Sequence, residues 1–216
     1  MRSGLKYLGV LVLGLVCFTA RADVFSHPVA GNQDSIANLE RLAGKFAAQT
    51  NLKGEFVQEK FLSVLTKPLR SHGFFSVSAG AFDWRITHPF SVSYHYANGE
   101  LYKQTEDSRE LVEPADDPML YGFFVFFSSI FDMSQAELQK MFELYFTRTD
   151  DDGWVLGLLP KNDLLKRSMQ SIVVEGHEVS AADQGVPTAD DAMTVIISKV
   201  SIHEPSGDYS QLLFSY

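Results

Sequence analysis

Between residues 54 and 112 the chain alternates apolar and polar side chains in short runs, and this pattern constrains the fold more than any other feature of the sequence. Successive side chains of a β-strand point to opposite faces of a sheet, so such alternation is typical of strands that bury one face. Pro, Gly and the hairpin dipeptide Asn98-Gly99 separate the runs. The pattern therefore predicts a meander of antiparallel strands at residues 55–62, 69–77, 81–87, 91–96, 100–105 and 109–112.

Helical spacing replaces this alternation on both sides of the meander. Apolar residues recur at helical spacing over residues 35–50, and Asp34 or Ser35 can cap the helix that this spacing predicts. The dipeptide Asp117-Pro118 predicts the start of a second helix over residues 119–131. That segment is almost wholly apolar, so its helix needs apolar contacts nearly all round. It is also too short to span a bilayer.

The last third of the chain returns to strand-like patterns after one more helix. Ser134 and Glu137 form a capping box for a short helix that ends near Met141. The polar, acidic segment 176–192 predicts a loop insertion, and residues 23–32 have no period and predict an unpatterned leader. The remaining strands are predicted at residues 142–149, 154–159, 169–175, 193–203 and 209–216.

These elements together predict a mostly β protein of the α+β class. The expected architecture is a single unclosed antiparallel β-barrel of about eleven strands, with an N-terminal helix and a short helical lid on its concave face. We expect residues 23–216 to form one domain, because β-barrels of this length are ordinarily single domains.

The first 22 residues predict a cleaved signal peptide. Arg2 and Lys6 give a positive start, an apolar run follows, and the run ends in Ala20-Arg21-Ala22, the small-x-small pattern that signal peptidase reads. A membrane anchor is disfavoured because the run is too short. A lipoprotein signal at Cys17 is disfavoured because Val16 stands where a small residue is needed. Cleavage leaves a chain without cysteine, which suits an oxidising periplasm.

Composition and motifs disfavour several classes of function. The net charge of −9 argues against a nucleic-acid partner. The sequence has no Gly-x-Ser-x-Gly elbow, and no glycine-rich phosphate loop follows the signal segment, so we predict no enzyme. His72, His88 and His95 could converge on a metal, but imidazoles at strand ends on the surface are the better interpretation. We therefore predict no metal and no cofactor.

The aromatic residues give the candidate site. The sequence has 17 Phe, 8 Tyr and 2 Trp, and many of them fall on one face of their strands. Strand alternation places Asp83 and Arg85 on the solvent face. An ordinary core is one interpretation; an apolar cavity plugged by the helix at 119–131 is the other. The substrate-binding candidates are Phe56, Phe75, Val77, Phe82, Trp84, Ile86, Tyr94, Tyr96, Phe123, Phe126, Phe127, Phe131, Phe142 and Phe146.

Several short motifs follow one another along the chain. They include Phe56-x-Gln58, Gly73-x-Phe75, Phe82-x-Trp84 and the hairpin Asn98-Gly99. The closing half adds Leu156-x-Leu158-x-Pro160-Lys161 and Gly207-Asp208. These motifs resemble the LolA-like family, and their order extends the resemblance over nearly all of residues 23–216. The sequence departs from the family at residues 76–79, where the best-known member has an arginine that latches its lid.

The resemblance implies a periplasmic carrier in a Gram-negative bacterium. Such a carrier holds the acyl chains of a lipoprotein or other amphiphile in an apolar cavity. It takes them from an inner-membrane transporter to an outer-membrane receptor, and we expect a monomer. The alternatives are a carrier of another lipid, such as an aryl polyene, a non-catalytic sensor on the same fold, or an exported lipid enzyme. If Phe123, Phe126 and Phe127 hold the lid against Phe82 and Trp84, Phe126→Glu should weaken cargo retention more than folding.

Overall fold

The computed structural model describes residues 23–49, 51–78, 80–131, 135–149, 152–180 and 193–216. The predicted signal peptide at residues 1–22 and Ser134 of the predicted capping box lie outside the described residues. The helices are α1 (Gln33–Ala47), α2 (Pro118–Phe131), α3 (Gln135–Met141) and α4 (Asp163–Ser168), and a 3-10 turn covers Val24–Ser26. The strands are β1 (Asn51–Phe61), β2 (Leu69–Ser78), β3 (Ala81–His88), β4 (Val92–Ala97), β5 (Glu100–Gln104), β6 (Arg109–Val112), β7 (Phe142–Arg148), β8 (Gly153–Pro160), β9 (Ser171–Ser180), β10 (Met193–His203) and β11 (Tyr209–Ser215).

All eleven described strands form one antiparallel sheet in the order β6-β5-β4-β3-β2-β1-β11-β10-β9-β8-β7. The first strand pairs with the last, from Glu55 opposite Ser215 to Phe61 opposite Tyr209. The two halves of the chain therefore meet at β1 and β11, while β6 and β7 form separate edges. The predicted fold class, an unclosed barrel of about eleven strands with helices against it, is confirmed.

The hairpin between β4 and β5 has the turn that its sequence predicts. Asn98 and Gly99 both have positive φ angles, 53° and 79°. Two consecutive positive φ angles define a type I′ turn, whose twist matches that of the flanking strands. This turn fixes the register that places Tyr96 opposite Leu101.

The predicted loop at 176–192 is wrong in its first part. β9 continues to Ser180 and pairs with β10 as far as Ser180 opposite Met193. Residues 181–192 lie outside the described residues. The strand tolerates the buried acid Glu178 because Arg41, Lys45 and Arg148 surround its carboxylate.

Two helices cover different parts of the concave face. α1 begins one residue after Asn32, whose side chain accepts a hydrogen bond from the Ser35 amide, so the cap lies before the predicted Asp34 or Ser35. The Phe46 ring of α1 meets Trp154 of β8 edge-on, with centroids 6.4 Å apart. Gly176 makes room for that tryptophan, because a Cβ there would lie 2.2 Å from the ring. α2 covers the other half of the sheet, near β3.

The segment before α1 is ordered, contrary to the prediction of an unpatterned leader. The Val29 amide donates to the Leu144 carbonyl at 2.8 Å, and the Phe146 amide donates to the His27 carbonyl at 2.9 Å. These bonds cover the outer edge of β7. Val24 is buried on the opposite face of the sheet, within reach of a Cβ built at Gly157.

α4 is the other element that the sequence did not predict; Asn162 caps it by accepting from the Leu165 amide. Within the described ranges, no helix combines the length and the apolar character that crossing a membrane requires.

Candidate functional site: the apolar concave face and the helix that covers it

Strand alternation places the candidate aromatic residues of β1, β2 and β3 on the concave face. Phe56, Phe75, Phe82 and Trp84 are each at most 3% exposed. Trp84 lies between Phe75 of β2 and Tyr94 of β4, which are its cross-strand partners. Arg85, the next residue along β3, is exposed, as the alternation predicts.

Aromatic rings pack against one another at the centre of this face. Phe56 stacks on Trp84 with centroids 3.6 Å apart, and Phe82 lies 5.8 Å from the same indole. Phe214 of β11 meets Trp84 edge-on at 6.2 Å and Phe75 at 5.3 Å. The floor of the site is therefore a continuous aromatic surface formed by strands from both ends of the chain.

The helix α2 lies over this floor and fills the space above it. Phe127 lies 6.2 Å from Phe82 and 5.9 Å from Trp84, and Phe123 lies 5.9 Å from Trp84. Phe131 stacks on Phe75 at 5.3 Å. The space that the sequence predicted as a cavity is thus occupied by the side chains of α2.

Phe126 departs from the predicted arrangement. Its ring meets Phe142 of β7 at 5.8 Å and Phe127 at 5.2 Å, rather than Phe82 or Trp84. β7 lies at the far edge of the open sheet, so Phe126 joins the lid to the other half of the molecule. Phe126→Glu would place a charge in this junction, where the side chain is 5% exposed. The Phe126→Glu test would therefore perturb folding directly.

The remaining candidates divide between the two halves. Val77, Ile86, Tyr94 and Tyr96 are partly buried against the core around α2. Phe142 and Phe146 are buried on β7, with α1 and α3 packed on that strand. The structure therefore brings most of the candidates together under α2. The β7 residues lie in the other half of the sheet, where Phe142 contacts Phe126 of α2. For all of the candidate residues, a role in binding stays a prediction.

The aromatic residues of the site that were missed include Phe124 and Phe214. Phe124 is 1% exposed and contacts Phe82 at 5.7 Å and Tyr94 at 5.1 Å. Phe214 joins the floor described above. The sequence spacing could have identified both. Phe124 lies three residues before Phe127, so the two share a face of the helix, and Phe214 lies two residues after Leu212, so the two share a face of the last strand.

The start of α2 is attached by polar contacts. The Asp117 carboxylate accepts from the Leu120 amide at 2.9 Å and caps the helix. The Tyr121 hydroxyl donates to the Gly99 carbonyl in the β4–β5 turn at 2.5 Å. The Tyr121 ring also meets Tyr96 edge-on at 6.0 Å. Burial raises the pKa of Tyr96, and its neighbour Tyr121 raises it further.

Over the other half of the sheet, charged groups fix α1. Glu178 of β9 is 6% exposed and pairs with Arg41 and Lys45 of α1 and with Arg148 of β7. The hydrogen bonds from the Arg41 guanidinium, together with those from Lys45 and Arg148, hold the pKa of Glu178 well below its usual value of 4.5. α1 therefore has an ionic anchor, whereas α2 depends mainly on apolar contacts.

The histidines do not gather at one point. His72 and His88 stack on each other at 4.5 Å, while His95 pairs with Asp83 at 2.7 Å. No group of three or more His, Cys, Asp or Glu side chains within the described residues is arranged to hold a metal ion.

The fold defines a class: an open antiparallel barrel whose concave aromatic face is covered by an apolar helix. No family model and no curated protein matches the chain. Among solved structures it is similar to a LolA superfamily protein from Nitrosomonas europaea, with 10% identity, a TM-score of 0.44, and coverage of 84% of this chain and 91% of that one.

Two further solved structures are similar to the chain. A domain described as an outer membrane lipoprotein-sorting protein, from Vibrio parahaemolyticus, matches with 8% identity and a TM-score of 0.43, over 83% of this chain and 89% of that one. LprF from Mycobacterium bovis matches with 11% identity and a TM-score of 0.35, over 88% and 93%.

Proposed function

We propose that this protein is a non-enzymatic carrier that binds the acyl chains of a lipoprotein or another amphiphile on its concave face. We further propose that the carrier works in the periplasm, receives its cargo from an inner-membrane transporter and delivers it to an outer-membrane receptor. The observation that carries the proposal is the covering of an aromatic floor by α2, a helix held chiefly by ring contacts.

The packing of α2 suits a cover that is replaced by cargo. Its side chains Phe123, Phe127 and Phe131 contact the floor without hydrogen bonds, so an acyl chain can take over the same contacts. A buried methylene contributes about 0.8 kcal/mol, so a chain of about 16 carbons gains on the order of 12 kcal/mol. Displacement of the α2 phenylalanines offsets much of this gain, and that offset lets the cargo be released.

The runner-up is a carrier of another lipid, such as an aryl polyene, on the same face. The aromatic floor favours it, because offset and edge-on ring contacts need a π-system, which a conjugated chain has and a saturated chain lacks. A non-catalytic sensor on the same fold is the third candidate. Mass spectrometry of organic extracts from the protein purified out of its native host separates these candidates by the lipid found, or by its absence.

The two tryptophans allow a direct test of where an acyl chain binds. Trp84 lies on the floor under α2, while Trp154 is fully buried against Phe46 of α1. The variants Trp154→Phe and Trp84→Phe each leave a single indole as a reporter. A brominated 16-carbon acyl chain quenches only an indole that it touches.

We expect saturable quenching of Trp84 in the Trp154→Phe variant and little quenching of Trp154 in the matched Trp84→Phe variant. Circular dichroism of both variants verifies that each is folded. Equal quenching of the two reporters, or no quenching of Trp84 at saturating probe, would contradict an acyl site under α2. Cell fractionation and N-terminal sequencing test the periplasmic location and cleavage after Ala22.

A further inference from the structure

The outer face of the sheet carries a row of four polar residues with an arginine at each end. Antiparallel pairing places Arg85 of β3 opposite Ser93 of β4, Ser93 opposite Gln104 of β5, and Gln104 opposite Arg109 of β6. Adjacent strands lie about 4.8 Å apart, so the two arginine backbones stand about 14 Å from each other. Ser93 and Gln104 form an uncharged floor between them.

This row lines a groove of about 390 Å³ on the face opposite to the lid helix. Both arginines and both floor residues contribute to its lining. A second groove of about 520 Å³ shares Arg85 and continues towards Phe74 of β2. The Phe74 side chain is 49% exposed there. The pair of grooves therefore offers a polar end and an adjoining apolar wall.

The two guanidinium groups have no carboxylate partner among the described residues. Arg109 instead lies over the ring of Tyr102, 4.7 Å from its centroid. The nearest acid in the groove, Asp83, is engaged by His95 at 2.7 Å and by the Ser76 hydroxyl at 3.1 Å. By contrast, the exposed Arg70 of β2 forms an ion pair with Glu59 of β1. Two unpaired arginines facing one groove stand out in a chain with a net charge of −9.

We propose that this outer groove is an anion site that binds a phosphate group between Arg85 and Arg109. A guanidinium presents several N–H donors in a planar fork that fits phosphate oxygens two at a time. Ser93 and Gln104 donate further hydrogen bonds from the floor. The adjoining wall at Phe74 accommodates the organic part of a phosphate ester. The phosphate belongs either to a soluble phosphate ester or to the headgroup of an anionic lipid.

Calorimetric titration of the protein with inorganic phosphate tests the site. We expect saturable binding that weakens about tenfold in Arg85→Gln and about tenfold in Arg109→Gln, as loss of a charge-assisted hydrogen bond predicts. Arg70→Gln is the matched control, because it removes an exposed arginine from the same face but outside the groove. Its affinity for phosphate should equal that of the unmodified protein.

Co-sedimentation with vesicles separates the two sources. If vesicles of phosphatidylcholine with phosphatidic acid retain the protein, vesicles of phosphatidylcholine alone do not, and Arg85→Gln weakens retention about tenfold, the ligand is a headgroup. Retention by acidic vesicles that does not depend on Arg85 overturns the proposal. If inorganic phosphate binds in an arginine-dependent way and neither vesicle retains the protein, the ligand is soluble. Absence of saturable binding to both phosphate and acidic vesicles overturns the proposal. So does an equal loss of binding in Arg70→Gln.

Discussion

Replacing Tyr121 by Phe removes one hydroxyl from α2 and leaves its ring against Tyr96. The lost hydroxyl is the one that donates to the Gly99 carbonyl at 2.5 Å and ties the start of α2 to the β4–β5 turn. A hydrogen bond of this kind contributes about 0.5–1.5 kcal/mol net. The bond exists while α2 covers the aromatic floor. Its loss should therefore favour the arrangement in which α2 has moved away, by the same free energy.

The carrier proposal gives this variant effects of opposite sign on binding and on stability. If cargo binds only when α2 moves away, the apparent affinity for an acyl probe should rise about 2- to 12-fold, because the competent state becomes more populated. The same bond is lost on unfolding, so the melting temperature should fall by a few degrees, at about 2–4 °C per kcal/mol for a chain of this size.

Fluorescence titration with an acylated probe and thermal unfolding by circular dichroism measure the two effects. Tyr145→Phe is the matched control, because the Tyr145 hydroxyl donates to Glu143 at 3.3 Å in an exposed position on β7. That variant should leave probe affinity unchanged. A lower melting temperature in Tyr121→Phe with unchanged or weaker probe binding would show that α2 is an ordinary core helix, and the reasoning would be refuted.

Two further predictions concern stability. Glu178→Gln should lower the free energy of unfolding at pH 7 by roughly 2–4 kcal/mol, because it removes the carboxylate that three cations share. Because the pKa of Glu178 is lowered in the folded state, its carboxylate stabilises the fold above pH 4.5. Urea denaturation should therefore show that the difference in the free energy of unfolding between the variant and the unmodified protein shrinks as the pH falls below 4.5. Glu137→Gln, in an exposed pair, is the control. It should change the free energy of unfolding by less than about 0.5 kcal/mol, both at pH 7 and below pH 4.5. A loss of stability in Glu178→Gln that does not change with pH would contradict the ionic anchor. Gly176→Ala should lower the melting temperature, since its Cβ would lie 2.2 Å from Trp154. Gly44→Ala is the control, because Gly44 has open space around it in α1, and this variant should raise the melting temperature. Equal shifts in the two variants would contradict the packing argument.

The sequence predicted the parts of the fold that depend on local pattern. Alternation along β3 was enough to assign Trp84 to the concave face and Arg85 to the outer face, since a strand has only two faces. The turn at Asn98-Gly99 and the helix start at Asp117-Pro118 follow equally from local backbone preferences. Each of these features is decided within a few residues of itself.

The parts that were missed depend on residues far apart in the chain. The polar run at 176–180 looked like a loop because Glu178 is acidic, and its partner Arg41 comes 137 positions earlier. Phe126 was placed with the other lid residues, but the open barrel brings Phe142 of β7 to it. The segment at 27–29 has no strand pattern of its own and is ordered by the free edge of β7. Contacts of this kind appear only once the chain is folded.

The way β7 is covered bears on the solubility of the molecule. An uncovered strand edge is a template for pairing with another chain, and this sheet has two edges. β6 is blunted by being only four residues long and by carrying Arg109 and Glu110. β7 has seven residues and depends on His27–Val29 for its cover. A chain trimmed to begin at Asn32 would therefore expose the backbone edge of β7, which has buried apolar side chains on one face. We expect such a chain to self-associate through that edge, although every strand of the barrel would still be present.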